Sequence, residues 1–353
     1  MINWKALLDR LKVFNKPPPL LGIDINDQFL SLIELATDGE NLKVISYAME
    51  QLPINAIVNG EIKQSEIVTE HLLSLLKKAS TKTKSVAIAV SGSSVITKVI
   101  SMVVNTNEET FEAKIIADAE KYIPYALEDV AIDYSIIKTD DTKESEILLA
   151  ACRREIIDQR VEILSAVGLE TSIVDIKIYD IERSFSLLKK EYSHGSHEVV
   201  ALFEHNTGLS LTVLQQGVVI YHKEESFAPA EEETPGSINL IEVTDENEVI
   251  KRVNDAEGEA CKRQLAQQMK SAIQFFISSS QHEKIDRVFL AGSFISIKEF
   301  AVWLDNWLKI PTSVADPFRY MSLAEKVDRQ DIHDHAASLL VACGLAMRGS
   351  ACQ

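Results

Sequence analysis

Cysteine is scarce: Cys152, Cys261, Cys343 and Cys352 are the only four in 353 residues, and no two form a CxxC pair. That excludes a disulfide framework or a zinc ribbon as the organising principle, and reduced thiols are the expectation. With only 13 glycines and 9 prolines, the chain is neither fibrous nor low in complexity. No run approaches the ~18–20 consecutive apolar residues that a membrane-spanning helix needs. Met1 to Lys16 has neither an unbroken apolar centre nor a small-residue cleavage site, so it is no secretory signal. Residence in the cytoplasm follows as the expectation. Positive charge is short as well, with 36 Lys and Arg against 53 Asp and Glu. A net charge of −17 argues against a nucleic-acid partner, which selects for a basic face. The deficit is concentrated: Glu224 to Glu259 holds 12 acidic residues against Lys251 and Arg252, whereas residues 1–16 are locally +3.

What is present reads as ordinary α/β material, enough for two domains or three small ones. Asn3–Phe14 carries apolar residues at helical spacing and is followed by Pro17, Pro18 and Pro19, an amphipathic helix on a stiff hinge. It suits either a membrane surface, a partner, or its own domain. Leu20–Ile25, Phe29–Leu35 and Leu42–Tyr47 predict a three-stranded antiparallel meander. Gln64–Lys78 predicts a helix with Ser65 as its N-cap, and Val86–Val90 a fully buried strand. A segment of different texture follows: strand Val95–Val104, a helix opened by the capping pair Thr106 and Glu109, strands Val130–Ile137 and Glu146–Cys152, and helix Glu155–Val167 ending at Gly168. Then the opening pattern recurs as Val199–Phe203, Leu209–Leu214 and Val218–Tyr221. A long helix (Glu259–Ser280), a strand (Arg287–Leu290) and a helix opened by Ser296 and Glu299 complete it. Two strand-rich units, each followed by a helix, imply a duplicated fold with two α/β halves facing across a cleft.

Seven stretches carry a family resemblance: LLGIDI (20–25), SGSSVITKVI (91–100), AEKYIPYALEDVAIDY (119–134), ILLAACRREIIDQRVEIL (147–164), GLETSIVDI (168–176), PTSVADPF (311–318) and LLVACGLAMR (339–348). In these the chain resembles the PilM family of type IV pilus assembly proteins. The resemblance implies an actin-like, ribonuclease H-like duplicated α/β fold with an FtsA-type α+β insert. It divides the chain into an N-terminal helix and hinge (1–19), a first core subdomain (20–94), the insert (95–174), an interdomain helix (175–197) and a second half (198–353). It also implies a scaffold on the cytoplasmic side of the inner membrane, held there peripherally through a PilN-like bitopic protein and connected indirectly to PilO- and PilP-like proteins. The PilN-like tail is expected in a groove between the first core subdomain and the insert, near the strand Val95–Val104 (Val95, Thr97) and the turn Tyr122-Ile123-Pro124-Tyr125. The alternative is that these residues pack the insert on its neighbour.

The same resemblance implies an ATP site, and the chain departs from it. Gly22 and Asp24 remain in the first phosphate hairpin, but Asn26-Asp27-Gln28 stand where small residues are expected and Ser31 where a lysine is. The Asp-Ile-Gly of the second hairpin is expected at Phe203, Glu204 and His205. Lys177 reverses the charge of an acid, Gly292 is followed by Ser293, and Ala228-Pro229 replaces a glycine pair. Losing a base or a water-orienting carboxylate typically slows a reaction by ~10²–10⁴. Negligible hydrolysis is therefore expected, with ATP binding weak or lost and Mg²⁺ in doubt. An active actin-superfamily ATPase or kinase is the opposing reading, and the cytoplasmic part of a type II secretion assembly protein a third. His333-x-His335, flanked by Asp331 and Asp334, has chelating spacing, but a solvated loop is the expectation and no metal site is assigned. His194, His197 and His205 read as surface histidines. The acidic stretch 224–259 reads as a solvated face, or as a dock for a basic partner such as a pilus assembly ATPase or the platform protein.

Overall fold

A computed structural model describes residues 19–38, 41–103, 108–139, 144–192, 198–206, 208–225, 256–294 and 297–349. The expected helix Asn3–Phe14 with Pro17 and Pro18, the capping residues Thr106 and Ser296, His194, His197 and the segment from Ala228–Pro229 through Ile238–Val243 lie outside them.

Strands β1 (Leu21–Ile25), β2 (Phe29–Asp38) and β3 (Asn41–Gln51) form the antiparallel meander. A miniature hairpin, β4 (Ile57–Val58) and β5 (Glu61–Ile62), leads to helix α1 (Ser65–Ala79) and strand β6 (Ser85–Val90), parallel to β1. Val68, Leu72 and Leu75 make the buried face of α1, each such side chain contributing about 1.5–3 kcal/mol by leaving water. Ser65 is not its cap. It is the first helical residue, its carbonyl accepts the Thr69 hydroxyl, and no side chain caps this end.

Strand β7 (Val95–Val103), helix α2 (Glu108–Ala119) and strands β8 (Val130–Thr139) and β9 (Glu144–Arg153) build a separate three-stranded sheet, ordered β7-β9-β8. Its own core joins Ile100, Met102, Phe111, Ile115, Ile147 and Leu149. Helix α3 (Arg154–Ala166) and strand β10 (Glu170–Ile176) do not share that core, although the sequence placed them in the insert. Ile163, Leu164 and Leu169 pack with α1 and β6 instead, and β10 lies parallel to β6 at the edge of the main sheet. The insert proper is thus residues 95–153. Gly168, at φ +75°, turns the chain after α3 as a terminal glycine should.

Helix α4 (Lys177–Phe185) crosses to the second half. There β11 (Val199–His205), β12 (Leu209–Gln215) and β13 (Val218–Glu225) repeat the meander, with Gln216 and Gly217 both at positive φ in the tight turn. Helix α5 (Ala256–Ser279) and strand β14 (Arg287–Gly292) follow, β14 parallel to β11 just as β6 is to β1. Helix α6 (Ile297–Leu308), β15 (Thr312–Val314), β16 (Ser322–Leu323), α7 (Arg329–Asp334) and α8 (Leu340–Ala346) end the fold. The sheets are ordered β10-β6-β1-β2-β3-β16 and β13-β12-β11-β14-β15. β1, β2 and β6 pair among themselves as β11, β12 and β14 do, antiparallel then parallel, which is the expected duplication.

Helix α8 is wedged between the halves at two glycines. A Cβ on Gly344 would stand 2.0 Å from the Asp180 carbonyl oxygen of α4, and one on Gly22 2.0 Å from that of Ala342. Gly22 is therefore required by the passage of α8 over β1. Beneath the cleft one apolar cluster draws on both halves: Ala87 and Ala89, then Ile181 and Phe185 of α4, Leu202, Phe289 and Leu345.

Candidate functional site

The cleft is built from equivalent positions of the two hairpins. Asp24 of β1 stands opposite Ser31 of β2, and Glu204 of β11 opposite Ser210 of β12. Each acid is followed two residues later by an asparagine that donates to it: Asn26 Nδ2 to Asp24 Oδ2 at 3.0 Å, and Asn206 Nδ2 to Glu204 Oε1 at 2.8 Å. This repetition corrects the register expected for the second hairpin. Phe203 faces the other way, into the core with Met269 and Phe276. The carboxylate of β11 is not lost; it is Glu204, and Asn206 rather than His205 stands in the glycine's place.

Lys177, the first residue of α4, enters this space. Its ammonium lies 2.8 Å from Glu204 Oε1, with only 19 % of the side chain exposed. Burial by itself would lower its pKa, but the Glu204 and Asp24 carboxylates outweigh that and hold it raised. Asp24 is buried too, and desolvation raises its carboxyl above the ordinary range against the pull of Lys177 and Asn26. Glu224 of β13 completes the group. It accepts from Ser91 Oγ at 3.0 Å, and His222 Nε2 lies 3.3 Å from it while His222 Nδ1 meets Thr212 Oγ1 at 2.9 Å. Desolvation would raise the Glu224 pKa, yet His222, Lys177 and Ser91 together hold it down to about 2. Ser91 belongs to the first half and Glu224 to the second, so this bond crosses the cleft. Glu182 of α4 adds another tie, accepting the Val219 amide at 2.7 Å.

The remaining predicted nucleotide residues are occupied from within. Asn26 Oδ1 accepts the amides of Gln28 and Phe29, each at 3.0 Å. Asp27 does not face a phosphate position: its carboxylate accepts the amides of Asn59 and Gly60 at 2.8 and 2.9 Å, fixing a turn where both residues have positive φ. Ser31 is fully buried. Gly292, at φ +87°, passes within 2.3 Å (from an added Cβ) of the His205 carbonyl oxygen, which also accepts the Ser293 amide at 2.7 Å. His205 is half-buried against Phe294, with its pKa lowered by desolvation, and is no surface histidine.

His333 and His335 do not converge. His333 lies on α7, not in a solvated loop, with Nδ1 2.7 Å from Oδ2 of the buried Asp316, while His335 Nδ1 donates to the Asp331 carbonyl. Among the described residues no three metal-ligating side chains are grouped.

At the insert, the predicted groove residues separate. β7 is an edge strand, and alternation places Val95, Thr97 and Val99 on the face opposite Ile100's core. Thr97 and Val99 are exposed, the latter by 52 %, whereas Val95 packs with Val90, Cys152 and Ile156. Tyr122 and Tyr125 are 42 % and 50 % exposed, and Lys98 Nζ lies 6.0 Å from the Tyr122 ring centre. Pro124 is exposed between them. Ile123 is no groove residue: it is buried in the insert's core beside Phe111 and Ile115. Ile137 of β8 and Val174 of the edge strand β10 add exposed apolar surface.

Residues 22–350 match the family described as type IV pilus assembly protein PilM. The chain belongs to that family. Among solved structures it is similar to a PilM–PilN type IV pilus biogenesis complex, at 19 % identity and a TM-score of 0.69, over 94 % of this chain and 98 % of that one. It is also similar to the ethanolamine utilization protein EutJ from Carboxydothermus hydrogenoformans (13 % identity, TM-score 0.49, 97 % and 96 % covered). The cytoplasmic domain of EpsL, an inner-membrane component of the Vibrio cholerae type II secretion system, is more distant (10 % identity, TM-score 0.41, 94 % of each). The fold is actin-like. No helix among the described residues is long and apolar enough to cross a membrane.

Within this PilM-family fold, sequence reasoning missed Glu204 as a cleft acid, Asn206, Glu224, His222 and the bridging role of Ser91. The signal for the first two was present: Asp-Ile-Asn at 24–26 and Glu-His-Asn at 204–206 align once the two hairpins are compared with each other.

Proposed function

We propose that this chain is a scaffold of the type IV pilus assembly machinery on the cytoplasmic side of the inner membrane, that it holds the N-terminal tail of a PilN-like membrane protein on its insert, and that its cleft does not hydrolyse ATP. The observation that carries the reading is the match to the PilM family over residues 22–350, joined to the likeness to a solved PilM–PilN complex. Exposed Val99, Tyr122 and Tyr125 supply the apolar anchors a peptide needs, and β7 offers an unpaired edge that can take an extended chain. The ion pair of Lys177 with Glu204 supports an inert cleft, because it engages a carboxylate that metal-assisted phosphate chemistry would need free.

One observation favours the opposing reading of an active ATPase or kinase: both hairpins keep a carboxylate, Asp24 and Glu204. Both are spoken for, Asp24 by Asn26 and Glu204 by Lys177 and Asn206. Peptide capture tests the scaffold directly. A peptide copying the PilN-like tail should bind the wild-type protein, and Tyr125→Ala should weaken it about 30-fold, as expected for an aromatic anchor worth about 2 kcal/mol. A wild-type protein that ignores the peptide refutes the proposal.

A further inference from the structure

Positive charge is scarce in this chain, yet it gathers at one end of the first half. Across the end of α1, the run Lys77-Lys78-Ala79-Ser80-Thr81-Lys82-Thr83-Lys84 holds four lysines and no acid, in a protein of net charge −17. All four lysines are exposed. Among the described residues no carboxylate pairs with Lys77, Lys82 or Lys84, whereas Lys78 meets Glu50 at 2.6 Å. Lys326 joins them from the far end of the sequence, its ammonium 3.2 and 3.3 Å from the Ala79 and Ser80 carbonyl oxygens that close α1. Exposed Leu73 lies one helical turn before Lys77, on the same face. Two exposed acids, Glu170 and Glu325, border the patch.

The fold brings the basic start of the chain to the same place. Thr83 Oγ1 donates to Glu34 Oε1 at 2.6 Å, and Glu34 stands opposite Leu21, the first residue of β1. Residues 1–16, locally +3 and carrying Trp4, Leu7, Leu8 and Leu11, therefore join the molecule beside the lysines. The insert lies elsewhere. β6 begins at Ser85, next to the patch, and ends at Val90, from which the chain runs on to β7. Lysine rather than arginine makes this surface. An ammonium on a flexible stem is a point charge that can follow a fluid anionic layer, whereas fixed carboxylates and nucleic-acid phosphates favour the planar guanidinium. Basic side chains beside apolar ones suit the headgroup region of a bilayer.

We propose that this end of the first half is a docking surface for an anionic lipid bilayer, with Lys77, Lys78, Lys82, Lys84 and Lys326 against the headgroups and the segment before β1 adding its own charge and apolar side chains. The contact is direct and separate from the capture of a PilN-like tail, so it goes beyond the scaffold reading.

Cosedimentation of the full chain with vesicles tests it. Wild type should pellet with vesicles of about three parts phosphatidylcholine to one of phosphatidylglycerol, stay in solution with phosphatidylcholine alone, and be released by about 0.5 M NaCl, which screens the charges. Lys82→Gln combined with Lys84→Gln should weaken binding about 25-fold, at about fivefold per lysine. Its melting temperature should stay within about 1 °C of wild type, since both side chains are exposed. Should the double variant melt lower, Lys77→Gln carries the test, with a loss of about fivefold expected and an unchanged affinity overturning the proposal. A wild type that ignores the anionic vesicles, or binds phosphatidylcholine alone as well, overturns it. So does a folded double variant that binds undiminished, which would assign the whole attraction to the segment before β1. Lysine-dependent binding to single-stranded DNA without binding to vesicles would assign the surface to a nucleic acid and overturn it too. The double variant should capture the PilN-like peptide as wild type does, and a wild type that ignores that peptide refutes the scaffold while leaving the vesicle result to judge this surface.

Discussion

The cleft and the insert treat their exposed chemistry in opposite ways. In the cleft, Asn26, Asp27, Lys177, Glu204 and Glu224 all have partners within the chain, and the Ser91–Glu224 bond crosses between halves. On the insert, Val99 and Ile137 of the sheet and Tyr122 and Tyr125 of the turn after α2 stand out to solvent. A duplicated fold can keep the acids of an ancestral site and still retire it, by turning each acid toward a neighbour. A surface meant for another polypeptide has to leave its apolar groups without one. On the proposed reading, the difference marks where function sits now.

The largest effect should come from breaking the frame on which both regions hang. Gly344→Ala places a Cβ against the backbone carbonyl of Asp180, which no rotamer change relieves, and should destabilise by about 3 kcal/mol in denaturant unfolding. Little loss would mean that α4 and α8 move apart freely and that the two regions are not held on one frame. Next in size, Val99→Asp should weaken capture of the PilN-like peptide about tenfold or more and leave the melting temperature within about 1 °C, since the side chain is exposed. A drop in melting temperature with capture intact would instead make Val99 a packing residue. The smallest effect concerns pH. Glu224 is held below its ordinary 4.5, at about 2, so its bonds to Ser91 and His222 contribute fully above pH 4.5 and fade as pH falls toward 2. The stability gap between wild type and Glu224→Gln should therefore be widest near neutrality and close over that interval. A gap independent of pH would show that this carboxylate does not tie the cleft.

Most of the architecture was legible because both halves announce themselves by short alternating runs, and the second meander at 199–221 repeats the first. What failed was local and has physical causes. α3 and β10 follow the insert in sequence, yet Ile163 and Leu164 find their apolar partners in the main sheet, which composition cannot reveal. Ile123 sits inside an aromatic-rich turn, but the turn that closes α2, with the Ile123 amide on the Ala119 carbonyl, directs it inward beside Phe111 and Ile115. In the second hairpin, counting back from LTVLQQG (211–217) sets Phe203 in the acid's place, one residue before Glu204, because strand pairing rather than spacing fixes the register. The charge reversal at Lys177 was visible. Its meaning was not, because Asp24 and Glu224 lie far from it along the chain and only the fold assembles them.

The central claim is that the cleft satisfies its own charges and leaves no room for nucleotide chemistry. Isothermal titration of the wild-type protein with ATP in excess Mg²⁺ tests it most directly. The account predicts no saturable heat up to millimolar ATP. Saturable, Mg²⁺-dependent binding in the micromolar range would contradict it.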